Sequence, residues 1–293
     1  STTLPSTTTP PPGGPVLVAA GDISTHTVTG GNKLTSDLIL SINPDLVLTL
    51  GDDQYDDGTL QEFQTYYDPT WGRFKDKTRP GVGNHEYYSD PTAAGYFTYF
   101  GQAASPQEPG CQASCKGYYS FEVGAWHVIA LNSNHHDCAY VACGPGSEQI
   151  AWLQADLAAN TKACVLAYWH HPRWSSGTHH GSDATMATIW ETLYGSGTDP
   201  VDVILNGHEH NYERFSKLNP TGAPDPRGMR QFVVGTGGTG ALYGFGTPLP
   251  TSEARDATTR GVLKLTLHDT SYDWAFVPAA GSSYQDAGTN ACN

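Results

Sequence analysis

The sequence predicts an α/β fold in one domain, with mixed β-sheets covered by helices. Three observations lead there. Short runs rich in Val, Ile and Leu recur, segments with helical spacing lie between them, and further strand-like segments include a pair joined by a hairpin-sized loop. The 293 residues allow one large domain or two small ones, and no second linker divides the chain after residue 14.

The first 14 residues are rich in Ser, Thr and Pro, cannot bury a core, and read as a linker or a mature N-terminus ahead of a single domain over 15–293. From Pro15 onward the apolar runs 16–20, 46–50, 165–169 and 201–205 read as buried strands. Helices are expected at 35–42, 59–67, 147–159 and 183–194. In the third, Ser147 is a candidate N-cap, and Ile150, Trp152, Leu153 and Leu157 recur at helical spacing. The alternation of strands and helices implies crossover connections and a largely parallel central sheet. Antiparallel strands are expected at 118–122, 126–132, 230–234, 261–267 and 272–277, the last two joined through His268, Asp269, Thr270 and Ser271. No repeat appears at the periods of solenoids or propellers.

Lys and Arg number 15 against 29 Asp and Glu, a net charge of −14. Nucleic acid and anionic membranes are poor partners for such a surface, because both are bound by cationic side chains that displace counterions. No continuous apolar stretch reaches about 18 residues, so no membrane span is expected, and no signal peptide is seen. Cysteines are even in number: Cys111, Cys115, Cys138, Cys143, Cys164 and Cys292. The first two pairs each lie in a loop with Gly or Pro, so two local bridges are expected, leaving Cys164 for Cys292. Fifteen pairings are open to six cysteines, and six reduced thiols are the alternative. With the Ser/Thr/Pro-rich opening, this favours a secreted protein whose export signal has been removed.

Unusual polar residues fall at the ends of the expected strands. Asp22 follows the first, Asp52 the second and His170 the third; Gly207, His208, Glu209 and His210 follow the fourth. A fifth cluster, Gly83, Asn84, His85 and Glu86, follows the short segment 79–82. In an open sheet with helical crossovers, the carboxyl ends of the strands share one edge, where ligands bind. A single Gly-Asp is more often a turn, and a lone His is usually at the surface or satisfied in a core. Five clusters in this position are better explained by convergence. His208 and His210, two apart on extended chain, can reach one centre. Carboxylates, imidazoles and an amide oxygen, without thiolates, suit iron, zinc or manganese. Asp52 has two oxygens with which to bridge two ions, and such a pair generates a hydroxide and clamps a phosphoryl group. The ions also supply the positive charge that the composition lacks.

These residues resemble the purple acid phosphatases within the calcineurin-like metallophosphoesterases, whose pattern runs GDxG, GDxxY, GNH followed by Asp or Glu, VxxH, and GHxH. The matching segments are Gly21-Asp22-Ile23-Ser24, Gly51-Asp52-Asp53-Gln54-Tyr55, Gly83-Asn84-His85-Glu86, Ala167-Tyr168-Trp169-His170 and Gly207-His208-Glu209-His210. The resemblance covers about residues 16–215, including the tail Asn211-Tyr212-Glu213-Arg214. It implies a four-layer α/β/β/α fold and a secreted acid phosphatase in which a metal-bound hydroxide attacks phosphate monoesters. It also implies that Asp22, Tyr55 and His210 hold a ferric ion, that Asn84, His170 and His208 hold a divalent ion (Zn, Fe or Mn), and that Asp52 bridges them. Ser24 and Ala167 depart from the pattern without removing an expected ligand.

The resemblance further implies that His85 and His179 bind phosphate oxygens and that His180, ten residues after His170, is the general acid to the leaving alkoxide. The bland reading of the His179 and His180 pair is a solvated Gly/Ser loop. His171 is expected to point away from His170, since strand neighbours alternate faces. His135 and His136 are expected at the surface, and His26, His127 and His268 have no motif context. Trp169, Trp174 and Tyr212 are candidate pocket walls, with core packing the better role for Trp169. Segment 101–117 is a candidate rim. The glycines of 235–240 lack the Lys-Ser/Thr ending of a phosphate loop. Expected partners are a small phosphate ester, with no nucleic acid and no membrane, and a monomer is favoured. The competing readings are a phosphodiesterase or nucleotide hydrolase on the same metals, and a non-catalytic wall-associated binding protein.

Overall fold

All nine runs read as strands form strands, in a computed structural model that describes residues 13–111, 114–134, 138–195 and 199–293. Positions 1–12 of the expected linker, and His135 and His136, lie outside the described residues. In chain order the elements are β1 (Val16–Ala20), α1 (Gly31–Ile42), β2 (Leu46–Leu50), α2 (Leu60–Glu62) continued by a π turn at Phe63–Tyr67, β3 (Thr78–Gly81) and α3 (Ala94–Phe100). Then come β4 (Tyr119–Val123), β5 (Trp126–Ala130), α4 (Glu148–Ala159), β6 (Cys164–Tyr168), α5 (Ala187–Gly195) and β7 (Val203–Asn206). The chain continues through β8 (Tyr212–Leu218), β9 (Met229–Val234), β10 (Ser252–Asp256), β11 (Gly261–Leu267), β12 (Ser271–Pro278) and β13 (Asp286–Ala291).

The strands form two mixed sheets, as the four-layer expectation has it. The first runs β13-β12-β11-β1-β2-β3 and the second β10-β8-β9-β7-β6-β5-β4. Parallel pairing joins β1-β2-β3, with β3 at an edge, in one and β5-β6-β7-β9 in the other, and antiparallel strands complete each sheet. Side-chain alternation in the second sheet shows the layering. Val128, Ala130, Leu166, Tyr168, Val203 and Leu205 face the shared core with Leu17, Leu48, Leu263 and Leu265 of the first sheet. Their neighbours Ile129, Val165, Ala167 and Ile204 face Ile150 and Leu153 of α4 and Ile189, Trp190 and Leu193 of α5. With α1 packed on β11, the order is helix, sheet, sheet, helix.

Helix starts follow local chemistry. Ser147 Oγ accepts the Ile150 amide at 3.3 Å, Thr59 and Glu62 form a capping box, and Asp183 accepts the Thr185 amide at 2.8 Å. Helix α1 begins four residues before position 35, through Gly31 and Asn32, which read as loop. Asn32 is buried, and its amide donates to Ser24 Oγ at 3.0 Å and the Thr27 carbonyl at 2.8 Å, so tertiary contacts override a weak helix start. Helix α3 has a strand-like composition but closes an aromatic cluster with Phe63 and Tyr67. The cysteines pair as Cys111–Cys115, Cys138–Cys143 and Cys164–Cys292. Among the described residues no helix is long and apolar enough to cross a membrane.

Candidate metal centre

The parallel strands β1, β2, β6 and β7 all end at one edge, and the segments following them and β3 meet there. Tyr55 Oη lies 2.8 Å from Asp22 Oδ1, 2.9 Å from Asp52 Oδ2 and 3.0 Å from His210 Nε2. His170 Nε2 is 3.2 Å from Asp52 Oδ2 and 3.1 Å from His208 Nδ1. Asn84 is buried, its amide nitrogen donates to Tyr88 Oη at 2.9 Å, and its Oδ1 has no partner. Asp22, Asp52, Tyr55, Asn84, His170, His208 and His210 thus gather at one place from five separated segments.

Backbone geometry at these strand ends is strained. Asp22, Asp52 and His208 have φ of 60°, 51° and 70°, values that cost a non-Gly residue of order 1 kcal/mol or more each. Neighbouring glycines make room. A Cβ on Gly83 would sit 2.2 Å from Asp52 Oδ1, and one on Gly235 would sit 2.2 Å from the Glu209 carbonyl oxygen. Gly235, Gly237 and Gly238 therefore serve close packing beneath the site. Ser24, which departs from the motif, spends its hydroxyl on Asn32 and leaves the centre untouched.

Two imidazoles are fixed in orientation. His170 Nδ1 donates to the Leu50 carbonyl at 2.8 Å and His210 Nδ1 to the Ala241 carbonyl at 3.3 Å, which turns each Nε2 inward, towards Asp52 and Asp22 respectively. Burial pushes His208 down, and His171, His170 and His180 push it further, so its ring is neutral. Burial lowers His170 as well, but Asp52 more than reverses this and raises it to about 9. Burial raises the Asp52 carboxyl, yet His170 and His85 outweigh it and hold the group well below the carboxylate range. Burial, then Asp22 and Asp52, push the Tyr55 phenol well above its ordinary value, so it ionises only against a cation.

One hydroxyl proton on Tyr55 cannot serve two carboxylates, and Asn84 Oδ1 is buried without a donor. Lone pairs outnumber protons at this centre, and cations are what such a set of hard and borderline donors fits.

Above it opens a cavity of about 430 Å³, lined by His85, His179, His180, His208 and His210 with Asp52, Tyr55, Asn84, Asp56, Tyr88 and Tyr243. His85 Nδ1 donates to the Asp56 carbonyl at 2.6 Å, and its Nε2 lies 3.8 Å from Asp52 Oδ2. The rings of His179 and His210 both stack on Tyr243, at 3.9 and 4.3 Å. His180 packs on His208 at 4.0 Å, and burial lowers its pKa despite the opposing charge of Glu209.

Several expectations are corrected. His171 does not turn away: its ring is 4.2 Å from His208, because the chain has left β6 by then and strand alternation no longer applies. Tyr212 is buried and donates to Asp286 at 2.6 Å, and Trp174 packs with the helix-side core. The aromatic walls are instead Tyr55, Tyr88 and Tyr243. The described part of 101–117 helps line a separate cavity of about 480 Å³ with Ala94 and Phe97. His26, His127 and His268 pair with Glu62, Asp156 and Asp273, away from the centre. Sequence reading gave no role to Glu86 and Glu209. Glu86 accepts the amides of Asp52, Asp53, Gln54 and Gly83, and Glu209 accepts those of His179, His180 and Gly181. Burial and Asp52 raise Glu86 to about 7 against these amides.

Residues 16–212 match the calcineurin-like phosphoesterase family. Purple acid phosphatase 15 of Arabidopsis thaliana is 31% identical over 226 residues, 67% of this chain and 40% of that protein. Purple acid phosphatase 18 of the same plant is 31% identical over 245 residues, 78% of this chain and 51% of that one. The chain spans about half the length of these relatives. Among solved structures, purple acid phosphatase PPD1 from yellow lupin seeds superposes with a TM-score of 0.71 at 20% identity, covering 94% of this chain and 53% of that one. PhoD superposes with a TM-score of 0.66 at 14% identity, covering 98% and 70%.

Proposed function

The chain belongs to the calcineurin-like phosphoesterase family, and from that premise we propose that it is an exported acid phosphatase with a dinuclear metal centre that hydrolyses phosphate monoesters. Its catalytic domain is 15–293, with the Ser/Thr/Pro-rich opening as a linker. The observation that carries the reading is the meeting of a buried phenol, two carboxylates, an unpartnered amide oxygen and inward-facing imidazole nitrogens. Asp22, Tyr55 and His210 would hold a ferric ion, Asn84, His170 and His208 a divalent ion (zinc, iron or manganese), and Asp52 both. When bound, the pair supplies a nucleophile from water at mild pH and offsets the charge of the phosphoryl oxygens.

The protein's own groups do the rest. His179 and His85 hold phosphate oxygens at the cavity floor. His85 Nδ1 is committed to the Asp56 carbonyl, so Nε2 donates only when the ring is protonated. His180 gives its proton to the departing oxygen as the ester P–O bond breaks and the water oxygen bonds to phosphorus. Because burial lowers His180, its acid form exists only below the ordinary imidazole range, which fits an acidic working pH. Three disulfides are compatible with an extracellular setting.

Elemental analysis and a visible spectrum test the reading together with phosphate release from an aryl monoester and a diester. Two metals per chain, a broad phenolate-to-iron band lost in Tyr55→Phe, and faster monoester turnover are expected. A colourless protein with one metal, or one that prefers the diester, would overturn it.

A further inference from the structure

The mouth of the cavity is built differently from its floor. Thr25, Asp56, Tyr88, Thr239, Gly240 and Tyr243 line it outside the candidate ligands and the three histidines. No Lys or Arg lines the cavity. Every one of the 15 Lys and Arg residues falls among the described positions, so none is hidden from this statement. Most are committed elsewhere, as Arg73 is to Asp37, Arg214 to Asp286 and Lys162 to Glu122. Arg260 comes nearest by bonding: it is not itself a lining residue, and its guanidinium is spent on the carbonyls of Thr239 and Gly240, which are.

What the mouth does offer is aromatic and acidic. The Tyr88 ring is 44% exposed and packs 4.3 Å from His85. On the other side Tyr243 is held by stacking against His179 and His210. The Asp56 side chain is 73% exposed and only loosely opposed by His26, at 3.9 Å. A phosphoryl group on the floor would have its compensating charge there. An anionic leaving group would meet a carboxylate and no Lys or Arg, whereas an apolar or cationic one would meet tyrosine faces and a carboxylate.

We propose that this mouth selects esters whose leaving alcohol is neutral or cationic with an apolar or aromatic face, and discriminates against those whose leaving group carries further negative charge. The inference rests on the phosphatase reading above and narrows its substrate class. It places polyphosphates and polyphosphorylated alcohols among the poor substrates.

The test uses three aryl monophosphates of similar leaving-group acidity, bearing para-aminomethyl, para-methyl and para-carboxymethyl groups, assayed on the metal-loaded protein at pH 6. The kcat/KM of the carboxymethyl ester should lie roughly 3- to 10-fold below that of the methyl ester, with the aminomethyl ester equal to or above it. The gap should shrink as salt is raised from about 0.02 to 0.5 M, since exposed charges are screened. Asp56→Lys should reverse the order, and Asp56→Asn should bring the ratio towards one. Ratios near one in the unaltered protein, or ratios indifferent to salt and to both substitutions, overturn the inference while leaving the phosphatase reading intact. Failure to turn over any of the three removes both.

Discussion

Replacing Glu209 by glutamine should loosen the loop that carries His179 and His180. Glu209 is fully buried, and its Oε2 accepts the amides of His180 at 2.7 Å and Gly181 at 2.9 Å, while Oε1 accepts that of His179 at 3.0 Å. Glutamine matches the shape but turns one oxygen into a donor. Its best orientation keeps the carbonyl on His180 and Gly181 and sets NH2 against the His179 N–H. One charge-assisted bond is then lost with its amide left buried, and two others become neutral, a cost of about 2–4 kcal/mol. At roughly 2 cal/mol/K per residue the unfolding entropy is about 0.6 kcal/mol/K for this length, so Tm should fall by about 3–7 °C. The functional effect should be selective. A displaced His180 matters only where the leaving oxygen needs a proton, so kcat on an alkyl monoester should drop about tenfold or more, with an activated aryl ester changed far less. Melting curves and the two rates decide it. An unchanged Tm refutes the hydrogen-bond argument, and a lower Tm with both esters slowed equally refutes the link to His180.

Other perturbations probe separate parts of the molecule. His180→Ala should slow alkyl monoesters by about 10²- to 10⁴-fold and activated aryl esters much less; equal slowing of both would speak against a proton donor. Removing Cys164–Cys292, whose sequence separation is 128, should cost about 5 kcal/mol by chain entropy, against about 2 kcal/mol for Cys111–Cys115 with its separation of 4. Denaturant midpoints of the two paired-alanine variants would rank them, and an equal loss would contradict the argument. Burial raises Asp202 to about 6 despite the amides of Val165 and Asn293. The folded chain therefore binds this proton more tightly than the unfolded one, whose value is about 4. The contribution is fully present below pH ~4, is lost as pH rises through ~6, and amounts to about 2–3 kcal/mol. Urea midpoints from pH 4 to 7 should show that segment flattened in Asp202→Asn; identical pH dependence in the two proteins would remove the effect.

Legibility in the sequence tracked how local the cause was. The runs at 16–20 and 46–50 are apolar throughout except for Thr49, because both faces of those strands are covered. β8 was missed because Glu213, Arg214 and Lys217 read as solvated. Arg214 is instead paired with Asp286 of β13 at 2.7 Å, a partner 72 residues away that no local pattern announces. In the strand pattern alone the two-sheet split was illegible for a similar reason, and only the family resemblance implied it. Each parallel segment looks the same whether its neighbour is a helix or a second sheet, and only the alternation of Leu166 and Ala167 between two cores, seen in space, separates the cases.

At the candidate centre the same logic separates what was read from what was missed. The donor side chains were legible because their chemistry is intrinsic: an Asp or His at the end of an apolar run has no packing reason to be there. Tyr243 and the two glutamates act on other groups, and their spacing carries no sign of it. Yet Glu86 adjoins His85, and Glu209 separates His208 from His210, so each motif writes its support into the position that reads as a spacer. Glu86 gathers backbone amides around the turn where Asp52 holds positive φ, a conformation least able to persist unaided, and Glu209, next to His208 with its own positive φ, gathers those of the 179–181 loop. A buried carboxylate that satisfies several amides at once over-determines such a turn. The anchor that contains each turn is thus written into a different motif from the turn it holds, and changing such a glutamate should disturb the site as surely as changing a donor.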